Sequence, residues 1–161
     1  MIFVQRKNWP KDDDPIYVIT DKINKLKKSE QVIGDFGCGD NFLKTLVPNK
    51  VLSFDMGKND DDNSVIICDL GNRIPVENDS IHIGVLSLAL MGKNYIDIIK
   101  EVYRVMAPGG RLFIAEPYQR WQNKENGVDE LQMELEAEGF VSISDIVTSE
   151  RFFYVDVVKV L

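Results

Sequence analysis

Three aspartates close or follow short apolar runs in the first half of this chain. Asp35 follows Val32-Ile33-Gly34, Asp55 follows Val51-Leu52-Ser53-Phe54, and Asp69 follows Val65-Ile66-Ile67-Cys68. Runs of this length suit buried strands and are too short for core helices. An ionised carboxylate only accepts hydrogen bonds, so an acid at a strand end can take both hydroxyls of a ribose. Gly37-Cys38-Gly39 comes directly after Asp35 and Phe36. Glycine at alternate positions lets the backbone turn sharply and lets a ligand approach it closely. Asp55 falls about twenty residues beyond those glycines, the spacing at which an acid meets a ribose in nucleotide-binding folds. The third glycine of the dinucleotide fingerprint would stand at position 42, where this chain has Phe42. The pattern therefore points to a nucleotide-like ligand other than a dinucleotide.

Elements that would position these residues can be read along the chain. Residues 1–14 form a short polar arm around Trp9-Pro10, with an acidic run at Asp12, Asp13 and Asp14. The arm is expected to pack loosely, with Trp9 covering a surface groove, and residues 15–161 to form one domain. Ile16, Ile19, Ile23 and Leu26 recur at helical spacing over 15–28, and Pro15 suits the first turn. After the glycine corner, Asp40 or Asn41 can cap a helix through Leu46, ended by Pro48. Residues 57–64 are an acidic loop. Residues 81–90 are apolar enough for a central strand, with His82 at its start and in a structural role. Ile96, Ile99, Val102 (or Tyr103) and Met106 mark a helix over 94–106, ended by Pro108-Gly109-Gly110. A fifth strand at 111–116 ends in Glu116, and 117–126 is a polar loop holding Tyr118, Arg120 and Trp121. A helix at 128–138 stops at Gly139, and two β-rich segments follow at 140–147 and 152–160. So short a connection makes that last pair antiparallel. The expectation is an α/β, Rossmann-like doubly wound sheet, mostly parallel with an antiparallel C-terminal strand. In such sheets ligands bind outside the carboxyl ends of the strands, where Asp35, Asp55 and Asp69 converge.

With 161 residues, 44% of them apolar and 28% charged, the composition is that of one ordinary globular domain. No run is long and apolar enough for a membrane span, and no signal peptide opens the chain. Cys38 and Cys68 read as reduced thiols of an intracellular protein and lack the setting of a covalent nucleophile. His82 is the only histidine and there is no Cys-x-x-Cys, so a metal is not expected. The net charge is −7. Proteins that grip nucleic acid unaided carry a basic face, because neutralising phosphate supplies most of the affinity. Lys22, Lys25, Lys27 and Lys28 fall on the first helix and read as a solvated face.

The spacing Asp35-Phe36-Gly37-Cys38-Gly39 resembles that of S-adenosylmethionine (SAM) enzymes. The segment Glu101-Val102-Tyr103-Arg104-Val105-Met106-Ala107-Pro108-Gly109-Gly110-Arg111 resembles the post-motif turn of class I SAM-dependent methyltransferases. More closely, several pieces stand in the same order as in the nucleomethylin family of ribosomal RNA-processing methyltransferases. They are Asp35 to Asp40, Ser53-Phe54-Asp55, Cys68-Asp69, Leu88-Ala89-Leu90-Met91-Gly92 with Asn94, Ala115-Glu116 and Phe152-Phe153. Lys7-Asn8-Trp9-Pro10 is similar to that family's opening segment. The similarity runs from about Gln5 onward. It departs at Pro117-Tyr118-Gln119-Arg120-Trp121, where the family has a Ser-Ser-Arg-Phe type of loop, and no long basic region precedes the domain within these residues.

The resemblance implies SAM as cofactor, S-adenosylhomocysteine as product, and methylation of adenine N1 in large-subunit ribosomal RNA. It implies Gly37 at the methionine end, Asp55 at the ribose and Asp69 with Leu70 at the adenine, with Asp35, Cys38, Gly39, Met56 and Ser87 also among the cofactor-binding residues. Ser87 takes the place of a cysteine. Met91, Asn94 and Glu116 are candidates on the substrate side of the rim, and no catalytic residue is assigned. The implied partner is ribosomal RNA or a pre-ribosomal particle, reached through a basic extension or a partner protein, in the nucleolus. A small-molecule methyltransferase, which the acidic charge favours, and a non-catalytic SAM-binding scaffold subunit are the alternatives.

Overall fold

The structure is a computed structural model and describes residues 9–160. Lys7 and Asn8 of the opening segment, and most of the expected arm, lie outside the described residues. One sheet organises the rest. Its strands are β1 (Ile33–Phe36), β2 (Val51–Asp55), β3 (Val65–Ile67), β4 (Ile81–Ser87), β5 (Met106–Pro117), β6 (Phe140–Ser142), β7 (Val147–Thr148) and β8 (Phe152–Lys159). Their order is β3-β2-β1-β4-β5-β8-β6, with β7 also paired to β8. Strands β1 to β5 run parallel, and β8 runs antiparallel to β5, β6 and β7. The order reverses between β1 and β4, so a crevice opens there at the carboxyl ends. This is the sheet expected from the sequence.

Side-chain alternation explains the two layers. Ile33, Ile83, Val85, Phe113 and Ala115 point to one face and pack with Ile19 and Ile23 of α1 (Pro15–Leu26). Phe36, Leu86, Leu112 and Ile114 point to the other, under α2 (Tyr95–Val105) and α4 (Asp129–Glu138). Helix α1 begins with Pro15 behind Asp14, whose carboxylate accepts from Ile16 N at 3.2 Å. It ends at Leu26 because Lys27 turns left-handed, so Lys27 and Lys28 lie beyond the helix expected to carry them. Among the described residues no helix is long and apolar enough to cross a membrane.

The helix expected after the glycine corner is absent, and a short 3-10 turn at Leu43–Thr45 replaces it. Asn41 is the reason. It sits at φ 61°, and its buried side chain is spent on other partners. Its Nδ2 donates to Asp62 Oδ2 (2.9 Å) and Ser64 Oγ (3.0 Å), and its Oδ1 accepts from Ser53 Oγ (2.5 Å). The connections from β2 to β3 and from β3 to β4 also lack helices. Further corrections follow the same logic. Strand β5 begins at Met106, since the chain becomes extended immediately after Val105, and Pro108-Gly109-Gly110 lies within it. The 140–147 segment is two strands, not one. The 117–126 loop contains a helical turn, α3 (Tyr118–Trp121), whose Trp121 is buried. Asp13 is buried too, accepting from Arg151 and Tyr154 at 3.3 Å each, and Trp9 packs edge-on against Phe152. The described part of the arm is therefore not loose.

In place of a helix, a side-chain clamp holds the residues 71–80 connection. Glu101 accepts Ile74 N and both guanidinium contacts of Arg104, each at 2.8 Å. Arg104 also donates to the carbonyls of Ile74 (2.8 Å) and Val76 (3.1 Å) and to Asn78 (2.8 Å). Glu101 is held below its ordinary range, chiefly by the Arg104 hydrogen bonds. Removing one partner strands the other and two carbonyls, a loss of about 2–3 kcal/mol. Urea denaturation of Arg104→Ala is expected to show that deficit. Arg104→Lys should recover less than half of it, because an ammonium cannot fill a planar fork. A deficit under about 0.5 kcal/mol would show the clamp to be a surface ornament.

Candidate functional site

A cavity of about 350 Å³ opens at the carboxyl ends of β1, β2 and β4, between the glycine turn, residues 69–70, residues 87–89 and the start of α1. Its size is within the range of small-molecule sites. The turn is built on β2. The amides of Gly37 and Cys38 both donate to the Phe54 carbonyl, at 2.8 and 3.0 Å. Gly37 has φ 97°, and a Cβ there would stand 3.0 Å from the Ala89 methyl, so only glycine fits without strain. Asp55 closes the turn: one oxygen accepts Gly39 N (2.8 Å), the other Met56 N (2.7 Å). Each oxygen keeps acceptor capacity for a further donor.

Of the residues read from the sequence, Asp35, Gly37, Cys38, Gly39, Asp55, Met56, Asp69, Leu70, Ser87 and Asn94 all line this cavity. Asp35 is buried, and desolvation, reinforced by the charges of Asp55 and Asp40, pushes its pKa up to about 7. Asp69 lies past the end of β3, where Oδ1 accepts Gly71 N at 3.1 Å. Burial and neighbouring acids raise the Cys38 thiol, and Cys68 is pushed up to about 11. Neither is a thiolate nucleophile. His82 lies at the opposite end of β4, its Nδ1 accepting Val32 N at 3.3 Å. Among the described residues no cluster of three or more potential ligands is arranged to hold a metal ion.

Asn94 is seated with care. A Cβ on Gly71 would lie 2.6 Å from its Nδ2, and one on Gly92 would lie 2.9 Å from its Oδ1. Two glycines thus make room for one amide at the mouth. The other substrate-side candidates fall elsewhere. Met91 lines a neighbouring depression, and its carbonyl accepts from Arg120. Glu116 is fully buried, not on the rim. Its carboxylate accepts the Trp121 indole N–H (3.1 Å) and Leu90 N (3.4 Å), which ties the 88–92 loop to α3. That loop starts with Leu88 at φ 56°, a conformation uncommon for a leucine. Pattern reading puts Trp121 in a polar loop and Asn41 at a helix cap, and gives Leu88 no conformational role. The one available signal was a tryptophan five positions after an acid inside an otherwise polar stretch.

Burial pushes the Glu116 carboxyl up to about 7, against hydrogen bonds from Trp121 and Leu90 that pull it down. Asp35 and Glu116 thus bind protons more tightly folded than unfolded, so stability falls as pH rises from about 4 toward 7. The melting temperature is expected to decline across that window and then level off. Glu116→Gln should decline less steeply, because only one of the two raised carboxyls remains. Identical slopes for the two proteins would refute this.

Residues 2–161 match the profile of a family described as "Hypothetical methyltransferase". The Arabidopsis thaliana protein named ribosomal RNA-processing protein 8 is 43% identical over 128 residues, covering 78% of this chain and 42% of that protein. The 25S rRNA (adenine(645)-N(1))-methyltransferase of Saccharomyces cerevisiae is 34% identical over 151 residues, covering 74% of this chain and 37% of its own length. The chain thus spans less than half the length of either. In three dimensions it is similar to the Burkholderia thailandensis 1,6-didemethyltoxoflavin-N1-methyltransferase, solved with S-adenosylhomocysteine. The TM-score is 0.71 at 12% identity, over 92% of this chain and 80% of the other. That likeness shows a shared fold. The chain belongs to the methyltransferase family whose profile residues 2–161 match, and its sheet is the class I, Rossmann-like one.

Proposed function

We propose that this chain binds SAM and methylates N1 of an adenine in large-subunit ribosomal RNA. The observation that carries the reading is the crevice, where a glycine turn and three strand-end acids converge on one cavity in a chain whose relatives bear ribosomal RNA names. The donor set fits SAM. Asp35, Asp55 and Asp69 line the cavity as acceptors, which suits the ribose diol, amine and cationic sulfur that SAM carries. Gly37 leaves space where a Cβ would stand, and Leu70 and Met56 offer apolar surface to a base. Asp55 would hold the ribose, Asp69 and Leu70 the adenine, and Asp35, Gly37, Cys38, Gly39 and Ser87 the methionine end. When bound, SAM supplies an electrophilic methyl group.

The chain's own task is then orientation and exclusion of water. Adenine N1 has a free lone pair at neutral pH, so no side chain need remove a proton from it. Asn94 is the substrate-side residue this favours. An asparagine amide matches the N6/N7 edge of adenine, which leaves N1 open. With a net charge of −7, docking on RNA or a pre-ribosomal particle in the nucleolus would draw on a basic extension or partner protein. The same acidity favours a second reading, a small-molecule methyltransferase. Tritium transfer from labelled SAM into RNA, protein and small-molecule fractions of a strain lacking the protein separates the two. Label in RNA at adenine N1 is expected, and label confined to small molecules would replace the proposal.

Two further outcomes follow. Asp55→Ala should weaken SAM binding about ten-fold or more by calorimetry, since unpaired ribose donors cost about 1–3 kcal/mol, while a cooperative melt persists. Unchanged affinity would remove Asp55 from the site. Deproteinised large-subunit RNA should bind this chain weakly at physiological salt and more tightly once a basic extension is added. Tight, salt-resistant binding by the chain itself would contradict that.

A further inference from the structure

A second depression, of about 400 Å³, adjoins the cofactor cavity and has the opposite electrostatic character. It is lined by Leu90–Lys93 on one side and by Tyr95, Arg120, Trp121 and Lys124 on the other. Three of these carry positive charge and none carries negative charge. The cofactor cavity is lined by Asp14, Asp35, Asp40, Asp55 and Asp69 and, among the described residues, by no lysine or arginine. In a chain of net charge −7, such a reversal over one segment needs a reason. The segment itself is shared. Ala89 and Asn94 face the first cavity, whereas residues 90–93 and Tyr95 face the second.

The groove is held in shape. Arg120 donates to the Met91 carbonyl, Trp121 is anchored on buried Glu116, and Tyr95 meets Trp121 edge-on at 5.2 Å. Lys124 lies over both rings, 4.9 Å from Trp121 and 5.3 Å from Tyr95. No carboxylate forms a salt bridge with Lys93, Arg120 or Lys124 among the described residues. The acids closest in effect are Glu134 and Glu130 of α4, which add to burial in raising the Tyr95 hydroxyl, and Glu116 beneath. A positively charged groove is the feature that tracks a single-stranded nucleic-acid backbone, here floored by the buried Trp121 and edged by the half-buried Tyr95.

We propose that this groove holds backbone phosphate of the substrate RNA beside the target nucleotide, through Lys93, Lys124 and the free edge of Arg120. The proposal rests on the RNA assignment above and extends it to a place. A base entering at Asn94 leaves its neighbours to run across Lys93 and Tyr95, because the two depressions meet along residues 89–95.

The test compares Lys93→Glu/Lys124→Glu with Lys22→Glu/Lys25→Glu, which makes the same charge change on α1. Lys93→Gln serves as a milder variant at the rim should the double variant melt early. Each protein is assayed for SAM affinity by calorimetry, for tritium transfer to deproteinised large-subunit RNA, and for RNA binding from about 50 to 200 mM salt. The groove variant is expected to keep SAM affinity within about two-fold and to raise KM for RNA roughly ten-fold. Its slope of log K against log salt should become shallower by about one to two, as loss of two phosphate contacts requires. Lys93→Gln should show a smaller change in the same direction. KM and slope equal to those of the α1 control would overturn the groove while leaving RNA methylation standing. Transfer by the unmutated chain into small molecules and never into RNA would overturn the RNA assignment and the groove with it.

Discussion

Asp55 joins the ligand ends of two parallel strands. Its oxygens accept Gly39 N from the turn after β1 and Met56 N from the turn after β2, and a carboxylate receiving backbone amides forms the stronger, charge-assisted kind of hydrogen bond. The turn hanging from β1 has no helix behind it, since Leu43–Thr45 is a single 3-10 turn. Its position depends on Asp55 and on the Phe54 carbonyl that takes Gly37 N and Cys38 N. The residue best placed to hold a ribose therefore also shapes the loop that would hold the rest of the ligand. On the proposed reading, binding and local order would be coupled through one side chain.

The same economy recurs around the sheet. Helices usually carry parallel connections, yet β1 to β2, β2 to β3 and β3 to β4 are joined without an α-helix. Polar side chains substitute for that packing. Asn41 ties the acidic loop to Ser53 through Asp62 and Ser64, and those bonds, Ser64 first, hold Asp62 down to about 2. Glu101 with Arg104 secures residues 74–78. Lys159 bonds the carbonyls of Tyr103 and Met106 where α2 gives way to β5. Loops held by a few polar contacts open more easily than helices packed on a core, and here such loops form much of the crevice wall.

That economy decides what pattern reading could see. Strands β1, β2 and β3, with Asp35 one residue short of its strand's end, Asp55 at its end and Asp69 beyond its end, are legible because a short apolar run broken by a turn residue reports burial directly. The antiparallel β8 followed from loop length alone. The helix at residues 41–46 was misread because asparagine is as good a cap as it is a left-handed bridge, and its true partners, Ser53, Asp62 and Ser64, lie far along the chain. Glu116 and Trp121 read as rim and loop residues because a buried acid looks the same in sequence as an exposed one until its donors are known. The left-handed Leu88 leaves no compositional trace. Local periodicity carried the sheet and the acids, and contacts between distant loops carried the rest.

Charge is partitioned across residues 88–95, and that division bears on how an acidic protein could act on a polyanion. The cofactor cavity concentrates carboxylates, with Asp35 poised near neutrality by burial and by Asp55 and Asp40. Such a field attracts a cationic cofactor and repels phosphate, so a neutral base can enter where its own backbone is unwelcome. The phosphates must then lie outside the cavity, and cations immediately beside it offset the repulsion that the acids create. Lys93, Arg120 and Lys124 occupy that position across a wall only a few residues thick. Opposite charge on the two sides of the segment favours one arrangement, base inward at Asn94 and backbone outward. On the proposed function, orientation of the substrate would then arise from the field, before any contact reads the base.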